Sequence, residues 1–328
     1  MTHYLRYCCA MCFALISFLL ATSQRAQAQT REAYVAQGAY QTTLTFYYDD
    51  QRATRTGTTW GIEEKKEEGN VTYPAWAGTY EVADRLTTRV VFDATFRDFR
   101  PTTTEMWFYR CEALKQIEGL EYLNTSEVKD MSGMFSDCAA LTSIDLKNFN
   151  TQNVTAMSSM FHHCAALTSI NLKNFNTQNV TDISWMFHHC AALTSIDLKN
   201  FNTQNVTDMS WMFYNCQALT SIDLKNFDTK NVTYMGRMFS GCAALTSIDL
   251  KNFNTKNVTD MSWMFSGCAA LTTINSNTTW QCPESKDMFA GCTKLKGAVS
   301  YDKNKVDATM ANPETGYFTA ESTTVRSR

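Results

Sequence analysis

A 26-residue unit repeats almost verbatim through the middle of the chain, and MFHHCAALTSIDLKNFNTQNVTDMSW is a representative copy. A fixed period of this size describes supersecondary units stacked on their neighbours, and it excludes a domain wrapped around one central pocket. Equivalent cysteines mark the phase at Cys111, Cys138, Cys164, Cys190, Cys216, Cys242, Cys268 and Cys292, with spacings of 27, five of 26, and 24. The array therefore spans 104–297 in about eight modules, imperfect at both ends.

Within the unit that starts at Leu193, the residues Leu193, Ile196 and Leu198 have the L-x-x-L-x-L spacing of a leucine-rich-repeat strand. Strand alternation turns Ile196 and Leu198 inward and Ser195, Asp197 and Lys199 outward. Phe201 closes the following turn as a core residue, amid the polar Asn200, Asn202, Thr203, Gln204 and Asn205. Thr207 and Asp208 then suit a helix N-cap, and Met209, Met212, Phe213 and Cys216 follow at three-and-four spacing. The expected fold is an α/β repeat: a leucine-rich-repeat-like solenoid in which each module adds one short parallel strand and one short helix.

The flanks differ from the array. Residues 1–28 read as a signal peptide, since Arg6 precedes an apolar run and Ala26, Gln27 and Ala28 form an A-x-A cleavage site. That run is too short for the roughly 20 residues that span a bilayer, so the chain is not expected to cross a membrane. Residues 29–103 carry strand-like runs at 43–48 and 89–92 separated by the polar stretch 63–70, which suggests a small β-rich cap. Residues 298–328 form a C-terminal cap and tail, in which 312–316 reads as a turn.

Removal of the signal takes away Arg6 and Arg25 and no acid, so the net charge falls from −3 to −5, which gives no reason to expect nucleic acid as a partner. The nine remaining cysteines are an odd number for an exported protein. Their shared phase points matching side chains in one direction, and stacked helices lie roughly 8–10 Å apart, so the ladder cysteines are expected to be reduced and buried. Cys282 stands outside the phase, free to pair with Cys292 or to remain exposed.

Two surfaces are candidates for ligand binding. The strand face presents an acidic column, Asp145, Asp197, Asp223 and Asp249 with Asn171 in phase, beside a basic column of Lys147, Lys173, Lys199, Lys225 and Lys251. Cross-column pairing would neutralise it, and exposed pairs are worth only about 0–1 kcal/mol each. The helix side presents Trp185, Trp211 and Trp263, in phase with Gly133, Ser159 and Arg237. Exposed indoles there would suit sugars or a protein anchor, whereas buried ones would simply be core.

Other patterns have simpler explanations. His162, His163, His188 and His189 fall as two pairs in consecutive modules; four imidazoles suit zinc or copper, yet duplication of a unit accounts for them, and no metal or cofactor is assigned. The N-V-T triplets at Asn153, Asn179, Asn205, Asn231 and Asn257 match a glycosylation acceptor but also sit where a turn needs polar residues. No catalytic constellation is present, and no enzymatic activity is expected.

The segment N-V-T-D-M-S-W-M-F-x-x-C at 257–268, L-T-S-I-D-L at 245–250, the opening Trp107, Phe108 and Cys111, and the ending Gly316, Tyr317, Phe318 and Thr319 together resemble the BspA-like leucine-rich-repeat surface proteins of bacteria. That resemblance implies a surface-exposed or secreted non-enzymatic binding protein of adhesin type, whose partners are host or bacterial surface proteins. The alternative is a glycan-binding module for nutrient or host-surface capture.

Overall fold

The computed structural model describes residues 30–320. The signal segment expected at 1–28 lies outside the described residues, as does the end of the tail beyond 320. The chain begins with β1 (Glu32–Gln37), β2 (Thr43–Asp49) and β3 (Thr58–Gly61), with β1 antiparallel to both of the others. The polar stretch expected to separate strands holds the first strand and the turn of a hairpin, β4 (Lys65–Glu68) with β5 (Val71–Pro74), turning at Gly69 with φ +61°. β6 (Arg89–Phe92) then lies parallel to β2 and to β7 (Gln116–Glu118), so the sheet order is β3-β1-β2-β6-β7. Arg89 pairs with Gln116 at a separation of one repeat, so the winding begins upstream of the first ladder cysteine.

Along the array, β8 (Ser143–Asp145) pairs parallel with β9 (Ser169–Asn171), and β10 (Ser247–Asp249) with β11 (Thr273–Asn275). The equivalent residues 195–197 and 221–223 carry no strand ladder. β12 (Phe318–Thr319) adds to β11 and ends the sheet, and the indole of Trp280 lies parallel to Phe253 and edge-on to Phe318. The turn expected at 312–316 is present: Asn312 Oδ1 accepts from the N–H groups of Glu314 and Thr315. A second parallel track is more regular than the strands. Single-residue bridges link Thr103, Asp130, Ala156, Asp182, Asp208, Tyr234, Asp260 and Glu284 in succession.

The short helices expected after this track are not there: no α-helix occurs among the described residues. In each rung the chain makes consecutive tight turns instead. The N–H groups of Met134, Ser136 and Cys138 bond three residues back, to Met131, Gly133 and Phe135. Those of Met131, Gly133, Phe135 and Asp137 donate forward to Ala156, Ser158, Met160 and His162 of the next rung. Two residues per rung take a positive φ, one in the column Gly133, Ser159, Trp185, Trp211, Arg237, Trp263 and one in the column Asp137, His163, His189, Asn215, Gly241, Gly267. Residues in that conformation interrupt a helix.

The cause is spacing. Paired strands lie about 4.7–4.9 Å apart, whereas packed helices need about 8–10 Å. The second track and the turns after it are themselves bonded from rung to rung, so this wall advances by the smaller distance and cannot fan out to give each rung a helix. Turns that send alternate N–H groups to the next rung do fit, and they leave the Met-Phe-Cys side chains pointing inward. Asp208 keeps a capping role, with Oδ1 accepting from the N–H of Ser210 at 2.8 Å, but it caps a turn.

The core is one continuous column. Phe108, Phe135, Phe161, Phe187, Phe213, Phe239, Phe265 and Phe289 stack with centroids 5.5–5.8 Å apart. Cys111 and the other ladder thiols are buried and free, as expected, though for a different reason than helix separation. From Cys138 to Cys292 each Sγ–H donates at 3.0–3.2 Å to the carbonyl of a Phe in the preceding rung. These thiols are buried donors as well as apolar filler. Cys282 is half-buried and free, and its Sγ donates to the Glu284 carbonyl at 3.2 Å.

Polar ladders run alongside. Buried Thr151, Thr177, Thr203 and Thr229 each donate Oγ1–H to a carbonyl one rung on and accept the N–H of the same residue. Asn153, Asn179, Asn205, Asn231 and Asn257 each donate Nδ2–H to a carbonyl of the preceding rung at 2.6–2.8 Å, which gives the N-V-T asparagines a structural role.

Candidate ligand-binding surface

On the strand face the acidic and basic columns pair within a rung. Lys147 Nζ lies 2.9 Å from Asp145, Lys225 3.2 Å from Asp223, Lys251 3.3 Å from Asp249 and Lys199 3.7 Å from Asp197. In each, the aspartate also accepts the N–H of the lysine two residues on. The Asp145 carboxyl is held below its usual range, first by the Lys147 ammonium, and Asp223 by the Lys225 N–H and ammonium. The carboxylates are exposed, so this face is a solvated, self-neutralised surface.

The opposite side differs. Trp185, Trp211 and Trp263 are half-buried and form one stacked column. Trp185 lies on Trp211 at 4.4 Å with planes 11° apart. The Arg237 guanidinium sits between Trp211 and Trp263, 4.2 and 4.0 Å from their ring centres, and Lys286 Nζ lies 5.4 Å beyond. Cation–π contacts of this kind are worth roughly 0.5–2 kcal/mol each. Trp185, Trp211, Arg237 and Trp263 all have φ between 56° and 61°, a conformation that favours glycine. A hollow of ≈ 210 Å³ opens beside Trp211 and Trp263, over Gly236. Another of ≈ 430 Å³ lies upstream, between Tyr109, Ser159 and Trp185.

The same side gathers the histidines. His162 stacks on His188 with centroids 4.6 Å apart, and His163 on His189 at 4.3 Å. Trp185 lies 4.5 Å from His188, so the imidazoles continue the aromatic column. Burial first, then the charge of His162 and its neighbours, pushes the His188 imidazole down to about 2. Burial likewise lowers His163 and His189. Burial raises Asp137, but its contact with His162, 3.6 Å away, outweighs this and keeps the carboxyl low.

Sequence spacing placed the tryptophans on one track and kept them apart from the acidic face. It missed the insertion of Arg237 between two indoles, although Arg237 shares their phase, and it missed Lys286. A signal for the turns was also present: Asp137, Asn215, Gly241, Gly267 and Gly291 recur at one phase, and these residue types favour a positive φ.

The fold and this surface define a repeat protein wound as a parallel solenoid, with its aromatic column displayed on the turn side. The chain belongs to the family described as "Mycoplasma protein of unknown function, DUF285", whose model matches residues 102–196 and 184–302. No curated protein matches it. Among solved structures it is similar to a leucine-rich repeat protein of T. pallidum, at 16% identity over 67% of this chain and 90% of that chain, with a TM-score of 0.34. A leucine-rich cell surface protein of Faecalibacterium prausnitzii is 18% identical over 88% and 93% of the two chains, with a TM-score of 0.29. A leucine-rich repeat protein of Bacteroides ovatus is 17% identical over 88% and 98%, with a TM-score of 0.22. At these values the likeness carries no further argument. No helix among the described residues is long and apolar enough to cross a membrane.

Proposed function

We propose that this chain is a non-enzymatic protein-interaction scaffold of a bacterial surface, exported by its N-terminal signal, with about eight modules of the BspA-like kind acting together as an adhesin. The observation that carries this reading is the column Trp185, Trp211, Arg237 and Trp263. Four bulky residues in successive rungs occupy a backbone conformation that costs L-residues roughly 1–2 kcal/mol each, and they form a half-buried stack along the surface. Large side chains kept at this strained, half-buried position, where glycine would relieve the backbone, are grounds for a functional reading. Tryptophan and arginine are also the residues that dominate protein interfaces.

The stacking favours a protein partner over a glycan. A sugar ring lies flat on an indole face, but the faces of Trp185 and Trp211 meet each other, and Arg237 covers the facing sides of Trp211 and Trp263. The test is a screen of the purified chain against arrays of matrix proteins, bacterial surface proteins and glycans, followed by two variant sets. Replacing Trp185, Trp211 and Trp263 by Ala should abolish capture of the protein ligand. Replacing Asp197, Asp223 and Asp249 by Asn should leave capture and melting temperature nearly unchanged. Glycan capture that survives in the Trp set would overturn both the partner class and the site.

A further inference from the structure

Stacking of two adjacent rungs brings the ring nitrogens of His162, His163 and His188 within 4.8 Å of one another. Repetition and stacking bring the rings together, but they do not account for the state of the most buried of them. His188 is only 5% exposed, and its Nδ1 is buried with no hydrogen-bond partner among the described residues. A buried polar atom is normally paired, and an orphan calls for an explanation. The groups around it are already engaged in a way that suits a ligand set. Asp137, one rung earlier, lies 3.6 Å from His162 Nδ1, where a carboxylate orients an imidazole and raises its basicity. Asn215, one rung later, bonds His189 at 3.2 Å through Nδ2 and Nε2, which leaves the other three rings as the converging set.

We propose that His162, His163 and His188 form a three-imidazole site for a borderline divalent transition-metal ion, Zn²⁺ by preference of ligand type, which clips two neighbouring rungs of the solenoid. Three neutral nitrogens suit zinc, copper or nickel, whereas calcium and magnesium require oxygen donors. Zn–N bonds of about 2.0–2.1 Å in tetrahedral geometry place ligand nitrogens roughly 3.3 Å apart. The rings must therefore turn out of their present stacks by about an ångström at the nitrogens, exchanging ring contacts for coordination. His162 and His163 are half-exposed, so the ion has a path from solvent and a fourth position open to water or to a partner's side chain. This site does not depend on the adhesin reading.

The test uses the purified chain stripped with chelator, dialysed against micromolar ZnCl₂ and analysed for bound metal, with Co²⁺ in a parallel sample. Expected are one ion per chain, the visible absorption of tetrahedral Co²⁺ without a thiolate charge-transfer band, and a higher melting temperature with metal. His163→Gln, which removes a half-exposed ligand with little risk to folding, should weaken binding at least about tenfold. Cys282→Ser should leave binding unchanged. The proposal is overturned if the stripped chain takes up no metal, if His163→Gln binds as tightly as the parent, or if the Co²⁺ spectrum shows sulfur ligation.

Discussion

Raising the pH from about 8 to about 10 should unfold the solenoid, because its core holds a row of thiols that can ionise only by leaving it. Burial lifts the thiols of Cys111, Cys138, Cys164, Cys190, Cys216 and Cys242 above their ordinary 9.0; for Cys268 the neighbouring Cys292 thiol is the first cause and burial the second. Cys242 is pushed up to about 12, and the others shift in the same direction. The folded values exceed the unfolded one, so these groups contribute their full stability below pH 9.0 and lose it as the pH rises toward the folded values. One unit above the unfolded value, each thiol forfeits about 1.4 kcal/mol, and seven forfeit roughly 10 kcal/mol. That is comparable with the whole stability of a typical domain, about 5–15 kcal/mol. Guanidinium unfolding followed by circular dichroism, in reductant and at stepped pH, measures the loss directly. Replacing Cys164, Cys190 and Cys216 by Ser keeps a donor for each Phe carbonyl but removes three ionising groups, so the alkaline slope should fall to about four-sevenths of the parent's. A parent chain within about 2 kcal/mol of its pH 8 stability at pH 10 would refute the reasoning.

Three further outcomes are expected. A thiol reagent added to the native protein should modify Cys282 and spare the ladder cysteines until denaturant is added, as mass analysis of labelled peptides would show. Ser159 has φ 57°, so Ser159→Gly should stabilise by about 0.5–1 kcal/mol, whereas Gly267→Ala, at φ 76°, should destabilise by about 1–2 kcal/mol; melting temperatures of the two variants check the signs. Arg237→Met should lower stability by roughly 1–2 kcal/mol through loss of two cation–π contacts, and salt titration should show that the parent's advantage is partly screened.

Much of the winding was legible in the sequence, because a near-exact period forces equivalent residues into equivalent places. Ile196 and Leu198 are buried where alternation put them and Phe201 where the turn put it, Asp197 and Lys199 are outside, and the cysteines share one buried track. Strand-like runs before the array became β2 and β6. The hairpin β4–β5 was hidden because β4 is wholly charged, and a charged strand carries no apolar alternation.

The sequence alone determined the period and the residues that face the core. What only the tertiary structure decided was the form of the second wall. Met, Met, Phe and Cys at three-and-four spacing satisfy a helix and a run of tight turns equally well, since both bring those side chains to one side. The choice falls to the rise between rungs, which is fixed by hydrogen bonds between residues one repeat apart and is too small for a helix. That same rise sets what the surface can do. It stacks Trp185 on Trp211, threads Arg237 between two indoles, and draws three imidazoles from two rungs together. Each of these is a contact between residues at or near one repeat's separation, or a pairing its geometry permits, and local sequence does not carry the distance between rungs.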